Sequence, residues 1–146
     1  MRISLADLDK LFERLLKRGS VLLTQMHFSD GTSKRKYLIV LNQNPSEPET
    51  LLFLTTSKVD FYDQNPSFRE HVRIKAGACA LFSLETVINC RSIQSMPRAA
   101  LKGRYMEKVL DIVGDLPPMI MAEIDAIVTT SRFIMPRHKK AILGWK

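Results

Sequence analysis

Over the first sixteen residues, apolar side chains recur at helical spacing, Leu5, Leu8, Leu11, Phe12, Leu15 and Leu16, behind a Ser4–Asp7 capping pattern. That spacing lays one apolar stripe along a helix, and Lys17, Arg18 and Gly19 supply its end, so residues 2–18 read as an amphipathic N-terminal helix. From residue 20 the pattern changes to short apolar or β-branched runs: "VLLTQMHF", "YLIVLNQ", "TLLFLTTS", "HVRIK", "ACALF" and "TVINCRSIQS". Their separators, "SDGTS", "NPSEPE", "DQNPS" and "KAG", are rich in turn formers. Five or six strands at such short intervals, with no helix between most of them, predict a mostly β fold, an antiparallel barrel or curled sheet rather than a parallel βαβ arrangement. Beyond Leu101 the helical spacing returns. There "GDLPP" offers Asp115 as an N-cap and prolines for a first turn, ahead of Met119, Ile120, Ile124, Ile127 and Val128. This predicts a terminal helix lying against the sheet. "GRYMEKVLDIVG" suits either a short helix or a last strand, and "MPRHKKAILGWK" reads as a basic tail over 134–146, loosely held.

Composition narrows the class without fixing the function. A chain of 146 residues that is 45% hydrophobic and 25% charged fits a single globular domain with a real core. Its formal net charge of +7 favours an anionic partner, whether nucleic acid, an acidic protein segment or a membrane surface. The two cysteines, Cys79 and Cys90, have no CxxC spacing and no nearby histidine to complete a zinc set, so neither a metal nor another cofactor is expected. No apolar run approaches the ~18 residues that a membrane span requires, and a cytoplasmic location is the expectation.

The charge has a focus. Lys34, Arg35 and Lys36 stand together at the start of a strand, and strand alternation puts Lys36, Leu38, Val40 and Asn42 on one face, with Tyr37, Ile39 and Leu41 on the other. The run "TLLFLTTSK" ends in Thr55, Thr56, Ser57 and Lys58, while "TVINCRSIQ" carries Asn89 and Arg91 among apolar neighbours. As sheet neighbours, these three runs gather cations, hydroxyls and an amide at one edge, a set suited to a phosphate. RNA cleavage asks little more, since the substrate's own 2′-hydroxyl is the nucleophile and the protein needs only to move protons and neutralise charge. His27, just before "SDG", is a candidate base, with Asp30 behind it. Each signal also has a plainer reading: a Lys-Arg-Lys run is commonly a solvated loop, and Thr-Thr-Ser at a strand end is commonly β propensity running into a turn.

The order of these pieces resembles the PemK/MazF (Kid-like) toxins. "KRGSVLLTQMHFSDGTSKRKYLIVLNQN" is similar to the family's opening strand, Gly-containing loop and second strand, and "LLFLTTSK" to its Thr-bearing strand. "TVINCRSIQSMPRAAL" is similar to a later strand and turn, and "IVGDLPPMIMAEIDAIVTTS" to the terminal helix, so the resemblance spans about residues 17 to 133. It implies an SH3-like small antiparallel barrel over 19–133, a homodimer, and metal-independent endoribonuclease activity on single-stranded RNA, restrained by an antitoxin protein with an acidic segment. Carried over, the family's key Arg falls on Lys36, with Tyr37 in place of the following proline and Arg35 one residue away. Its active-site Thr falls on Thr56, or on Thr55 one register earlier. The position that holds an acid in some members falls on Arg91, and a basic position falls on Asn89. The catalytic set so implied is Lys36, Thr56, Arg35 and His27, with Thr55, Ser57, Lys58, Asn89, Arg91 and Lys34 binding RNA. The alternative reading is a non-catalytic module on the same barrel that binds RNA or poisons a protein target.

Overall fold

The computed structural model describes residues 3–44 and 46–145. The first helix, α1 (Leu5–Leu15), begins where the capping pattern places it: the Ser4 hydroxyl accepts a hydrogen bond from the Asp7 amide at 3.1 Å. Three long strands follow, β1 (Ser20–His27), β2 (Ser33–Val40) and β3 (Glu49–Thr56), joined as antiparallel neighbours. After a short helix, α2 (Asp60–Gln64), come β4 (His71–Ile74), β5 (Thr86–Asn89) and β6 (Gln94–Pro97). Helix α3 (Arg98–Met106), strand β7 (Leu110–Asp115), and helices α4 (Pro118–Thr130) and α5 (Pro136–Leu143) complete the described chain.

All the pairings are antiparallel, in the order β4-β5-β3-β2-β1-β7. β3 is shared along its far edge: its first half pairs with β6 and its last two residues with β5. The mostly β, antiparallel expectation therefore holds, but the sheet does not close, and β4 and β7 end the path unpaired to each other among the described residues. The packing shows why an open sheet suffices. Leu38, Val40 and Leu52 face a core built with Phe12 of α1, Leu16 at its C-cap, Leu101 of α3 and Leu110. Ile39, Leu41, Leu51 and Phe53 face a second core built with Met121, Ile124 and Val128 of α4 and Ile142 of α5. Helices on both faces bury both sets of alternating side chains, which accounts for the unbroken apolar runs in β2 and β3.

Several local expectations are corrected. "ACALF" forms turns rather than a strand, with Cys79 and Phe82 buried from a loop, and "TVINCRSIQS" splits into β5 and β6. "GRYMEKVLDIVG" is both of its readings in succession, the end of α3 and then β7. Asp115 does not cap α4. It closes β7 and reaches Lys17 at 3.7 Å, while Pro117 occupies the cap position with no side-chain hydrogen bond. The basic tail is not loose over its described part: α5 buries Ile142, and Gln43 donates from its backbone to the Ala141 carbonyl at 2.9 Å. Arg18 holds this arrangement together. Its guanidinium pairs with Asp125 of α4 and donates to the carbonyls of Leu41 at 3.2 Å and Ile142 at 2.8 Å. β1 meets β7 through a bulge between Val21 and Leu22, opposite Gly114, where a Cβ would lie 2.7 Å from the Leu81 side chain.

Candidate functional site

Two antiparallel pairings create the site. Leu38 sits opposite Leu54, so the start of β2 lies beside the end of β3, and Thr55 and Thr56 in turn sit opposite Ile88 and Val87 of β5. Strand alternation divides the side chains. Lys34, Lys36 and Thr56 fall on the face of Leu38 and Leu52, whereas Arg35, Tyr37 and Thr55 fall on the face of Ile39 and Phe53. A cavity opens on each side of this junction, and both are bordered by Lys36, Thr55 and Thr56.

The first, about 280 Å³, is completed by Arg35, Tyr37, Ser57, Phe82, Ser83, Leu84 and Thr86. Its floor is fixed. The Thr55 hydroxyl donates to the Tyr37 carbonyl at 3.1 Å, and the Tyr37 and Phe82 rings meet edge to face at 5.1 Å. Thr55 is therefore a buried brace rather than a free hydroxyl. The second cavity, about 310 Å³, is bordered in addition by Leu54, Lys58, Phe61, Tyr62 and Asn89. Here the Thr56 hydroxyl accepts a hydrogen bond from the Lys58 amide at 3.1 Å, which leaves its proton free to be donated outward.

The electrostatics of the second cavity follow from crowding. The Lys36 ammonium is held below the ordinary lysine range, first by burial and then by the charge of Lys58. Lys34 is also lowered, chiefly by the close approach of the Lys58 amine and by its charge. Three amines within mutual reach form an electropositive patch, and no described carboxylate borders this cavity; Arg35 lies on the opposite face, borders the first cavity and reaches Asp111 at 3.9 Å. No group of metal-binding side chains occurs among the described residues.

The other sequence-derived candidates lie elsewhere. His27 is exposed at the far end of β1, where Nδ1 meets the Ser33 hydroxyl at 2.5 Å, and it borders neither cavity. Asp30 turns the β1–β2 loop, accepting from the Thr32 amide at 2.9 Å and the Thr32 hydroxyl at 2.6 Å, and the hydroxyl bond leads in lowering its pKa. Arg91 is withdrawn too. Its guanidinium carbon lies 3.9 Å from the Phe133 ring centroid and 4.9 Å from that of Phe68, and its backbone amide donates to Asn89 Oδ1 at 2.9 Å. Asn89 itself borders the second cavity. Sequence reasoning missed Phe61 and Tyr62, because "DFYDQNPS" reads as a turn-rich separator and α2 is only one turn long. The signal that could have found them is two adjacent aromatic residues just after a hydroxyl- and lysine-bearing strand end.

The geometry defines a class, a helix-flanked antiparallel β domain with an electropositive, hydroxyl-bearing cleft. Comparison with known proteins finds no matching family model and no matching curated sequence.

Proposed function

We propose that the chain is a toxin of the PemK/MazF type, a metal-independent endoribonuclease that grips single-stranded RNA at the cleft between β2 and β3. The observation that carries this reading is the meeting of Lys36, Thr56 and Lys58 at one cavity, with Lys34 against Lys58 and no competing carboxylate on its border. The order of elements also supports it: three long strands, a short helix, further strands and a helix after the last strand agree with the resemblance in sequence.

In this reading the phosphate diester lies between the amines, and the Thr56 hydroxyl donates to a non-bridging oxygen. The RNA 2′-oxygen attacks the adjacent phosphorus while its proton passes to the neutral form of the Lys36 amine, the form that burial and the charge of Lys58 both favour. The P–O5′ bond breaks, and the ammonium of Lys58 or Lys34 protonates the departing 5′-oxygen. The products are a 2′,3′-cyclic phosphate and a 5′-hydroxyl, with no water or metal consumed. An acidic antitoxin segment would compete for the same cations, and the homodimer belongs to the same proposal.

A second reading, a module that binds RNA without cutting it, is favoured by one observation: neither cavity is bordered by a carboxylate or an imidazole. Incubating a defined single-stranded RNA with the protein in EDTA separates the two. Fragments ending in cyclic phosphate, lost in Lys36→Ala and in Thr56→Ala, are expected. RNA that stays whole but is retarded on a gel establishes the binding module, and RNA that is neither cut nor retarded overturns both.

A further inference from the structure

The second cavity holds more than a phosphate needs. Its outer wall is Phe61, 50% exposed although it is a large aromatic side chain, next to Tyr62, which is buried. The two rings meet edge to face at 5.1 Å, and Phe68 packs against both, at 5.6 Å from Phe61 and 5.4 Å from Tyr62, so Phe61 stands on a rigid aromatic base. On the border of the same cavity, Asn89 has a fixed orientation. Its Oδ1 accepts from the Arg91 amide, so Nδ2 is the end left to donate, and among the described residues it makes no hydrogen bond to the protein. Arg91 is in turn held by Phe68 and Phe133. A half-exposed aromatic side chain, an amide donor without a protein partner among the described residues and ammonium groups on the border of one cavity of about 310 Å³ match the three parts of a nucleotide: a base to stack, an acceptor on its edge and a phosphate.

We propose that this cavity is a nucleobase subsite, in which an unpaired base next to the bound phosphate stacks on Phe61 and accepts a hydrogen bond from Asn89 Nδ2. Arg91 and Phe68 are positioning residues for it. The inference rests on the RNA reading above and makes it more specific. Duplex RNA is disfavoured because its bases are stacked on one another. A base with a carbonyl or ring-nitrogen acceptor at the edge facing Asn89 is preferred over one presenting only donors there.

The test compares two tetramers of equal charge in direct binding to the full chain, oligouridylate and its abasic phosphodiester counterpart. The subsite predicts that the wild type binds oligouridylate about tenfold more tightly than the abasic chain, and that Phe61→Leu removes the difference while leaving the abasic affinity unchanged. Phe61→Trp restores it, and a 2-aminopurine placed at the same position is quenched by the wild type and Phe61→Trp but not by Phe61→Leu. Because leucine keeps the apolar contact with Tyr62 and Phe68, and tryptophan restores a stacking face, a folding defect and a lost stack give different results. Equal binding of both tetramers by wild type and Phe61→Leu overturns the subsite alone. Failure of both tetramers to bind overturns the RNA reading and the subsite with it.

Discussion

Replacing Lys36 by Ala takes one cation from the junction of β2 and β3 and leaves the strand pairing intact, because Lys36 is half-buried midway along β2 while Leu38 and Val40 beyond it carry the packing. Three amines gather there, Lys34, Lys36 and Lys58, while Arg35 lies on the opposite face and reaches Asp111 at 3.9 Å. If all three meet phosphates, a single-strand counterion term of roughly −0.7 per contact gives a log–log salt slope of about −2, and affinity falls ~20-fold between about 50 and 200 mM salt. The variant should bind more weakly and also lose about 0.7 from the slope, because one fewer counterion is released. Fluorescence anisotropy of a labelled single-stranded RNA across a salt series measures both quantities. A wild-type slope shallower than about −1, or a Lys36→Ala slope equal to that of the wild type, would refute the claim that these side chains hold the phosphates.

Three further outcomes follow from the same structure. Cleavage should rise with pH as Lys36 loses its proton, with the limb centred below the ordinary lysine value of 10.5, and Lys36→Arg should abolish that limb. Because the folded state lowers this pKa, the unfolded chain binds more protons in the same window, so stability also rises as pH climbs through it; urea melts should show that rise flattened in Lys36→Met. Arg91→Met should cost about 1 kcal/mol in urea unfolding, from the lost contacts with Phe68 and Phe133, while the affinity for the abasic phosphodiester stays within about twofold. The Cys90 thiol, fully buried and pushed up to about 12 by desolvation, should resist alkylation at pH 8 in the native protein and react at once in denaturant, as peptide mapping would show.

The sequence carried the local signals that depend on neighbouring residues. The Ser4 cap, the helical stripe through Phe12 and Leu16, and the alternation of Leu38 and Val40 against Ile39 and Leu41 all reappear in the structure, since each is fixed by backbone period and side-chain size. What could not be read depends on long-range placement. An apolar run such as "LIVL" is equally suited to a barrel wall and to the middle of an open sheet covered by helices on both faces, and the packing of α1 and α3 on one face and of α4 and α5 on the other decides between them. The site divides in the same way. Lys36 and Thr56 come together because β2 and β3 are neighbours, which adjacent strands in sequence make the default. Arg91 is drawn away by Phe133, a residue forty-two positions later in the chain, and no local pattern announces that contact. Phe61 and Tyr62 enter the site on a helix of five residues, too short to leave a periodic trace.

The most direct measurement is an NMR titration of the isotopically labelled protein with a single-stranded RNA carrying 2′-O-methyl groups, which binds without being cut. The account predicts that the perturbed signals collect on Lys36, Thr56, Lys58 and Asn89, with the Lys36 side chain titrating at higher pH once phosphate is bound. Signals that stay put at these four residues while others move on α5 or α1, or no movement at all, would contradict it.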